Sequence, residues 1–412
     1  MMSALKKDAA AGYFAILTAS AAGLAGLALV YGLRGKKKDV GTKRTKHDDK
    51  TGRKDLSWQE RSVGVTRSRF RTKQTGVRVV CAPTASEYGR CIEHCIDATD
   101  SVLVLCGTAG GTKSLDGGAA FAAKACCAEP CIYRGDIWDF SALRASVAAT
   151  PRGPSITAIC LDATNIHGND ILMDTFVLVK FLRSIFAPSL RIIIVKSRTV
   201  ARHARSVHTA EDFINAGGME GLAKESSSKN AGGFDEIQVV CAVGVANYRK
   251  TIPFVVKKGD DLLEIGCHHG KTTFLLADAA AEDNSKRKAS IESSAPFVVG
   301  VDIGKVCIDR ANEENRKLQE RNLVTKKSHN QCSFEIADAW NTKHLLSLSS
   351  SFNAIYIDVG GISGSDGVFE GLSLIRQISC AYSATARCIV VKSRCLRDHA
   401  SMWMHSDRVL RK

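Results

Sequence analysis

Two tandem doubly wound α/β domains with mostly parallel sheets, behind an N-terminal transmembrane helix, are the fold class this sequence predicts. Three observations lead there. The chain repeats itself: residues 156–204 lie without a gap on residues 352–400, and 15 of those 49 positions are identical, including Val-Lys-Ser-Arg at 195–198 and 391–394. Within each copy, short β-branched runs alternate with helical patterns, the signature of parallel strands joined by crossover helices. Finally, Ala9 through Leu33 is 25 residues without a charge, enough to cross a bilayer at about 1.5 Å per residue.

The repeat also extends upstream at a different offset. Val79-Val80-Cys81-Ala82 and Tyr88 match Val239-Val240-Cys241-Ala242 and Tyr248, 160 residues on, whereas the late positions differ by 196. One copy has therefore gained, or the other lost, 36 residues between them. A repeat of this length is a whole domain rather than a solenoid unit. The organisation expected is a tail at 1–8, the apolar span at 9–33, a basic linker at 34–75, copy one at 76–204, a Gly-, Ser- and Lys-rich linker at 205–234, and copy two at 235–412. In copy two, strands are expected at 237–241, 261–265, 297–302, 333–337, 353–358 and 387–392. Helices are expected at 244–256, 271–281, 304–321, 366–379 and 396–406, with a polar surface loop at Ala281–Pro296.

The formal net charge is +15, and much of the excess lies in residues 34–78, where Arg34, Lys36, Lys37, Lys38, Lys43, Arg44, Lys46, Lys50, Arg53 and Lys54 cluster. Such a run is a solvated linker or an attraction to anionic lipid or RNA phosphate; the same charges serve either. Only Lys6 and Lys7 precede the apolar span, so the positive-inside rule leaves the bulk of an anchored protein facing the cytosol. A cleaved targeting presequence for an organelle, or a soluble hydrophobic helix, is the alternative to an anchor. The 15 cysteines show no paired metal-ligand spacing and sit largely in apolar runs. They read as free thiols of a reducing compartment, with no metal site assigned.

The chemistry-bearing residues gather in copy two. After the strand Asp261–Ile265 comes Gly266-Cys267-His268-His269-Gly270, then a helix opening Lys271-Thr272-Thr273. Glycines at a strand-to-helix turn let backbone approach a ligand, and the helix N-terminus points N–H groups at it. Glu264 is an acid inside a strand, a costly place unless it receives hydrogen bonds. A second strand ends at Asp302-Ile303, a third at Asp338-Ala339-Trp340, and a fourth at Asp358. A P-loop is the competing reading of Gly270-Lys271-Thr272, but only three residues separate Gly266 from Gly270, where that loop needs four.

These motifs, in this order over residues 250–395, resemble the class I S-adenosylmethionine-dependent methyltransferases. LLEIGCHHG is similar to that family's first motif, and the resemblance makes Glu264, Gly266, Cys267, His268 and Gly270 cofactor residues. It further implies that Asp302 and Ile303 take the ribose, that Asp338 and Ala339 lie at the adenine, and that Asp358 stands at the methyl-transfer end. The fold it implies is a pair of Rossmann-like methyltransferase domains, and the cofactor is S-adenosyl-L-methionine. Two departures are visible. The family's closing β-hairpin has no room after Lys392, and Asp358-Val359-Gly360-Gly361 is not the Asn/Asp-Pro-Pro-Tyr of amino-group methylators.

Copy one places Val104 where copy two has Glu264 and Cys106 where it has Gly266, and nothing corresponds to Asp302, although Gly110, Asp136, Asp162 and Lys196 are retained. It reads as a degenerate domain that packs on copy two. Asp358 and Lys392 are the candidate catalytic pair, Lys392 lowering the pKa of a substrate hydroxyl and Asp358 orienting it, with Lys250 as a further lysine. Because they recur as Asp162 and Lys196, simple ion pairing within the fold is the competing reading. The sequence therefore predicts a membrane-anchored methyltransferase acting on RNA or an acidic protein. The alternative is a non-enzymatic, membrane-anchored scaffold that binds RNA or protein.

Overall fold

The computed structural model describes residues 76–411 apart from 107–120, 126–128, 151–154, 164–170, 228–235, 282–297, 326–331, 363 and 365–366. The expected span at 9–33, the basic linker at 34–75, Gly110 and most of the 281–296 loop lie outside the described residues. Among the described residues no helix is long and apolar enough to cross a membrane.

Copy one builds β1 (Arg78–Ala82), α1 (Ala85–Cys95), β2 (Val102–Cys106), β3 (Cys131–Tyr133), α2 (Phe140–Ala148), β4 (Ala158–Asp162), α3 (Ile171–Phe186), β5 (Ile192–Lys196) and α4 (Arg198–Ser206). Then come β6 (Val207–Thr209), α5 (Ala210–Asn215) and α6 (Gly218–Ser227). Copy two builds β7 (Gln238–Ala242), α7 (Val245–Lys250), α8 (Ile252–Val255), β8 (Leu262–Ile265), α9 (Lys271–Ala280), β9 (Val298–Asp302), α10 (Lys305–Thr325) and β10 (Cys332–Ile336). It continues through α11 (Thr342–Leu348), β11 (Ala354–Ile357), α12 (Gly367–Ala381), β12 (Cys388–Lys392), α13 (Arg394–Met402), β13 (Trp403–His405) and α14 (Ser406–Leu410).

Every strand pair is parallel, and the two sheets run β13-β1-β5-β4-β2-β3 and β10-β9-β8-β11-β12-β7-β6. Counted from β8, the second sheet reads 3-2-1-4-5, the doubly wound order whose ligand crevice opens beyond the strand C-termini. The place beside the fifth strand, where a closing hairpin was not expected to fit, is taken by the leading strand β7, parallel to β12.

The sheet faces explain why these runs form strands. Val79, Leu103, Ile193, Leu263, Ile355 and Ile389 belong to one cluster of buried apolar residues shared by both sheets. Their alternates, Val80, Val102 and Ile194 in one sheet and Val240, Leu262 and Val390 in the other, face separate outer clusters. Both faces of both sheets are thus covered, which is why the strands read as near-continuous apolar runs.

Three expectations change. The helix expected over 244–256 breaks at Thr251 and restarts as α8, with Pro253 in its first turn, where a missing N–H costs nothing. The stretch 205–234, expected to be a linker, carries β6, α5 and α6. β6 leaves copy one's sheet and pairs with β7, Val207 opposite Val239. Reciprocally, β13 leaves copy two's sheet and pairs with β1, Trp403 opposite Val79. The expected helix 396–406 accordingly ends at Met402. Three-residue strands such as Val-His-Thr and Trp-Met-His carry no readable period, so the sequence concealed both.

Candidate functional site

The turn after β8 is built on glycine. Gly266 has φ +84°, and a Cβ there would stand 2.2 Å from the carbonyl oxygen of Asp358. Only glycine lets β8 pass this close to the end of β11. The N–H groups of Gly266 and Cys267 both donate to Val301 O, at 2.8 and 3.0 Å, which fastens the turn to β9. Gly270 opens α9 at φ +74°, and a Cβ on it would press into the Phe334 ring at 2.6 Å. Cys267 is buried and burial pushes its thiol up, so it packs the turn.

Glu264 lies beneath this turn, 2% exposed, on the face it shares with Tyr248 and Tyr356. The Thr273 hydroxyl donates to its carboxylate, and Arg249 Nε donates to Thr272 Oγ1 at 3.0 Å. Burial pushes the Glu264 carboxyl up to about 8; Asp358 adds to the rise, while the Thr273 hydrogen bond and the Arg249 charge oppose it. The carboxyl group is engaged inside the protein, tying the first turn of α9 to β8. Sequence reasoning identified Glu264 but missed Thr272, Thr273 and Arg249, whose signal was two hydroxyls at a helix start opposite a buried acid.

Asp302 ends β9 on the adjacent strand. Its Oδ2 accepts the His268 N–H at 3.0 Å and its Oδ1 accepts the Gly304 N–H at 2.8 Å. His268 itself is exposed at φ +51°, a left-handed conformation that few non-glycine residues adopt. Beyond these strand ends, Ile303 is 72% exposed, Val306 65% and Trp340 44%. All three follow the C-terminal ends of β9 and β10.

Asp338 stands further out, on the turn after β10, exposed, with Ala339 buried beside it. Its Oδ1 accepts the Trp340 N–H at 3.0 Å. Asp136 does the same for Trp138, also at 3.0 Å. Copy one therefore repeats this turn, but its strand β3 lies directly against β2, in the slot that β9 occupies against β8. The strand missing from copy one is the one that carries Asp302. By register, Leu105 opposes Tyr133 as Ile265 opposes Val301, so the position of Asp302 falls on Arg134.

Asp358 and Lys392 form an ion pair at the ends of β11 and β12, each about one-quarter exposed. Asp162 and Lys196 pair in copy one at 2.7 Å. The pairing is common to both copies. Lys250 is exposed at the end of α7.

His268, His269 and Cys307 bring ligand atoms within 4.8 Å of one another. Arg310 reaches to 3.4 Å from His269 Nε2, and the His269 pKa is lowered by desolvation first and then by the neighbouring charges of His268, Arg310 and Lys271. Two cations facing the cluster disfavour a third, and we assign it no metal. A cleft of about 510 Å³ opens elsewhere, between α3, α4, α12 and α13, and touches none of the motif residues.

No protein-family model and no curated protein matches this chain. A solved structure to which it is similar is a TehB-like SAM-dependent methyltransferase from Corynebacterium glutamicum, 15% identical, covering 39% of this chain and 71% of that one at a TM-score of 0.23. At that score the fold rests on this chain's own strand order. Two parallel-sheet α/β halves, the second ordered 3-2-1-4-5 with a glycine turn after its first strand, fit the class I methyltransferase fold.

Proposed function

We propose that copy two binds S-adenosylmethionine across the C-terminal ends of β8, β9 and β10 and transfers its methyl group. The observation that carries the reading is Asp302. It ends the strand beside the glycine turn, and two backbone N–H groups fix its carboxylate next to the exposed Ile303 side chain. A carboxylate offers about four acceptor positions, so two remain for a ribose diol. In this reading Gly266, Cys267, His268 and Gly270 shape the turn against the cofactor and Glu264 holds that turn from below. Ile303, Asp338 and Ala339 flank the adenine.

Bound there, S-adenosylmethionine supplies an electrophilic methyl carbon on a sulfonium. The chain's own contribution is mainly positioning, because in-line displacement requires the acceptor held against that carbon. Asp358 would accept the hydrogen bond and then the proton of the acceptor hydroxyl as the methyl carbon leaves sulfur for oxygen and the neutral thioether departs, and Lys392 would stabilise the negative charge that develops on that oxygen. The acceptor we favour is RNA or an acidic protein, drawn by the basic linker at 34–75 to a protein anchored through residues 9–33, with copy two facing the cytosol.

The test is methyl transfer from tritiated S-adenosylmethionine into RNA, protein and small-molecule fractions of a cell extract. Incorporation that depends on Asp302 supports the reading, and the labelled fraction names the acceptor. A second reading, a scaffold without activity, is favoured by one observation: the Asp–Lys pair persists in copy one, where the strand carrying the ribose acid is missing. Absence of incorporation with wild-type protein would select it.

A further inference from the structure

We infer that copy one is the obligate partner of copy two, the two repeats forming a fused two-fold dimer in which each half completes the other's sheet. The exchange of β6 and β13 obeys the repeat. Val207–Thr209 and Trp403–His405 are separated by the same 196 residues as the aligned sequences, and each joins the leading strand of the opposite copy. The elements around them also correspond. Ser197 caps α4 and Ser393 caps α13, each through its side-chain oxygen accepting the third N–H onward. Thr209 and His405 then cap α5 and α14 by side-chain acceptance.

The decisive contact is between His203 and His399. They are equivalent residues of the repeat, 196 apart, and their Nε2 atoms meet at 3.2 Å. A residue can touch its own counterpart only at the axis relating the two copies, so these rings mark a local two-fold axis. Phe176 packs on both rings with centroids at 4.7 Å, and Trp403 Nε1 donates to His399 Nδ1 at 3.2 Å. Arg408 from the end of copy two reaches His208 Nδ1 at 2.9 Å, and Ser406 Oγ donates to Glu87 of copy one at 2.8 Å. The buried apolar cluster at the centre takes residues from both sheets without interruption. The surface that copy two presents along β7 and α13 is therefore complementary to a second copy of its own fold.

A nick tests this in the full chain. A protease site placed within residues 228–235, between α6 and β7, separates the copies covalently once cut. We expect the two fragments to co-elute at the volume of the uncut protein, to melt in one transition, and to part only in denaturant. Fragments that separate under native conditions, or melt independently, would overturn the inference. Co-elution requires no cofactor, so the result stands whether or not the methyltransferase reading does. A second chain, ended after Met402, removes β13 and α14. Loss of hydrogen-exchange protection at Val79–Cys81 with β8 and β11 still protected, or failure of both copies to fold, follows from the exchange; unchanged protection at β1 contradicts it.

Discussion

Copy one and copy two share a frame and differ by one strand. Both carry a leading strand, a buried tyrosine behind it (Tyr88 and Tyr248), and an Asp–Lys pair at the fourth and fifth strand ends. Both repeat the aspartate turn at Asp136 and Asp338. The differences concentrate at the C-terminal ends of the strands beside the glycine turn: among the described residues β2 pairs directly with β3, with no strand in the place of β9, Val104 replaces Glu264, and Arg134 falls at the register of Asp302. What the copies share is therefore common to the fold, and what only copy two has is what the proposed function uses. By that criterion Asp338 and the Asp358–Lys392 pair carry less functional information than Asp302 and the glycine turn.

The largest expected effect breaks the frame itself. Trp403 is 2% exposed and packs on Phe176 of copy one at 4.8 Å between ring centroids. Trp403→Ala should cost about 3–5 kcal/mol, the range for emptying a large aromatic site, and a denaturant titration should show both copies destabilised in one transition. A loss confined to one copy would separate what we describe as joined.

Next is Asp302, the ribose acid of the proposed function. Asp302→Ala should weaken S-adenosylmethionine binding by roughly 10- to 150-fold, since hydrogen bonds to a charged group contribute on the order of 1.5–3 kcal/mol. Gly266→Ala should cost about 1–3 kcal/mol of stability through its positive φ, more if the Asp358 carbonyl cannot move, and should shift the thermal midpoint downward.

A smaller effect lies in pH. The Glu264 carboxyl is raised from 4.5 to about 8. Between those values the folded state holds a proton that the unfolded state has released, so stability falls as pH rises through this window. His203 opposes it at the acid end. Burial lowers its pKa from 6.5 to about 3, so stability falls as pH drops below 6.5. Thermal midpoints of Glu264→Gln should lose the decline on the alkaline side; an unchanged decline would show that the carboxyl is ionised in the fold.

The parallel α/β architecture was legible because strands buried on both faces leave long apolar runs, and because the chain states its pattern twice. The glycine turn and strand-end acids were legible because position after a strand is itself a sequence feature. The exchange of β6 and β13 was not, since three residues carry no period and their partners lie far away in sequence. Nor were the partners of Glu264, since nothing in the sequence pairs the Thr273 hydroxyl with that carboxyl group. A sequence shows that an acid is present, whereas only packing shows which side of the turn it serves.

The asymmetry between the copies is tested most directly by calorimetric titration of the full chain with S-adenosylmethionine, for wild type, Asp302→Ala and Asp136→Ala. We expect one site per chain, strongly weakened by Asp302→Ala and unchanged by Asp136→Ala. Two equivalent sites, no binding at all, or equal sensitivity to both substitutions would contradict the account.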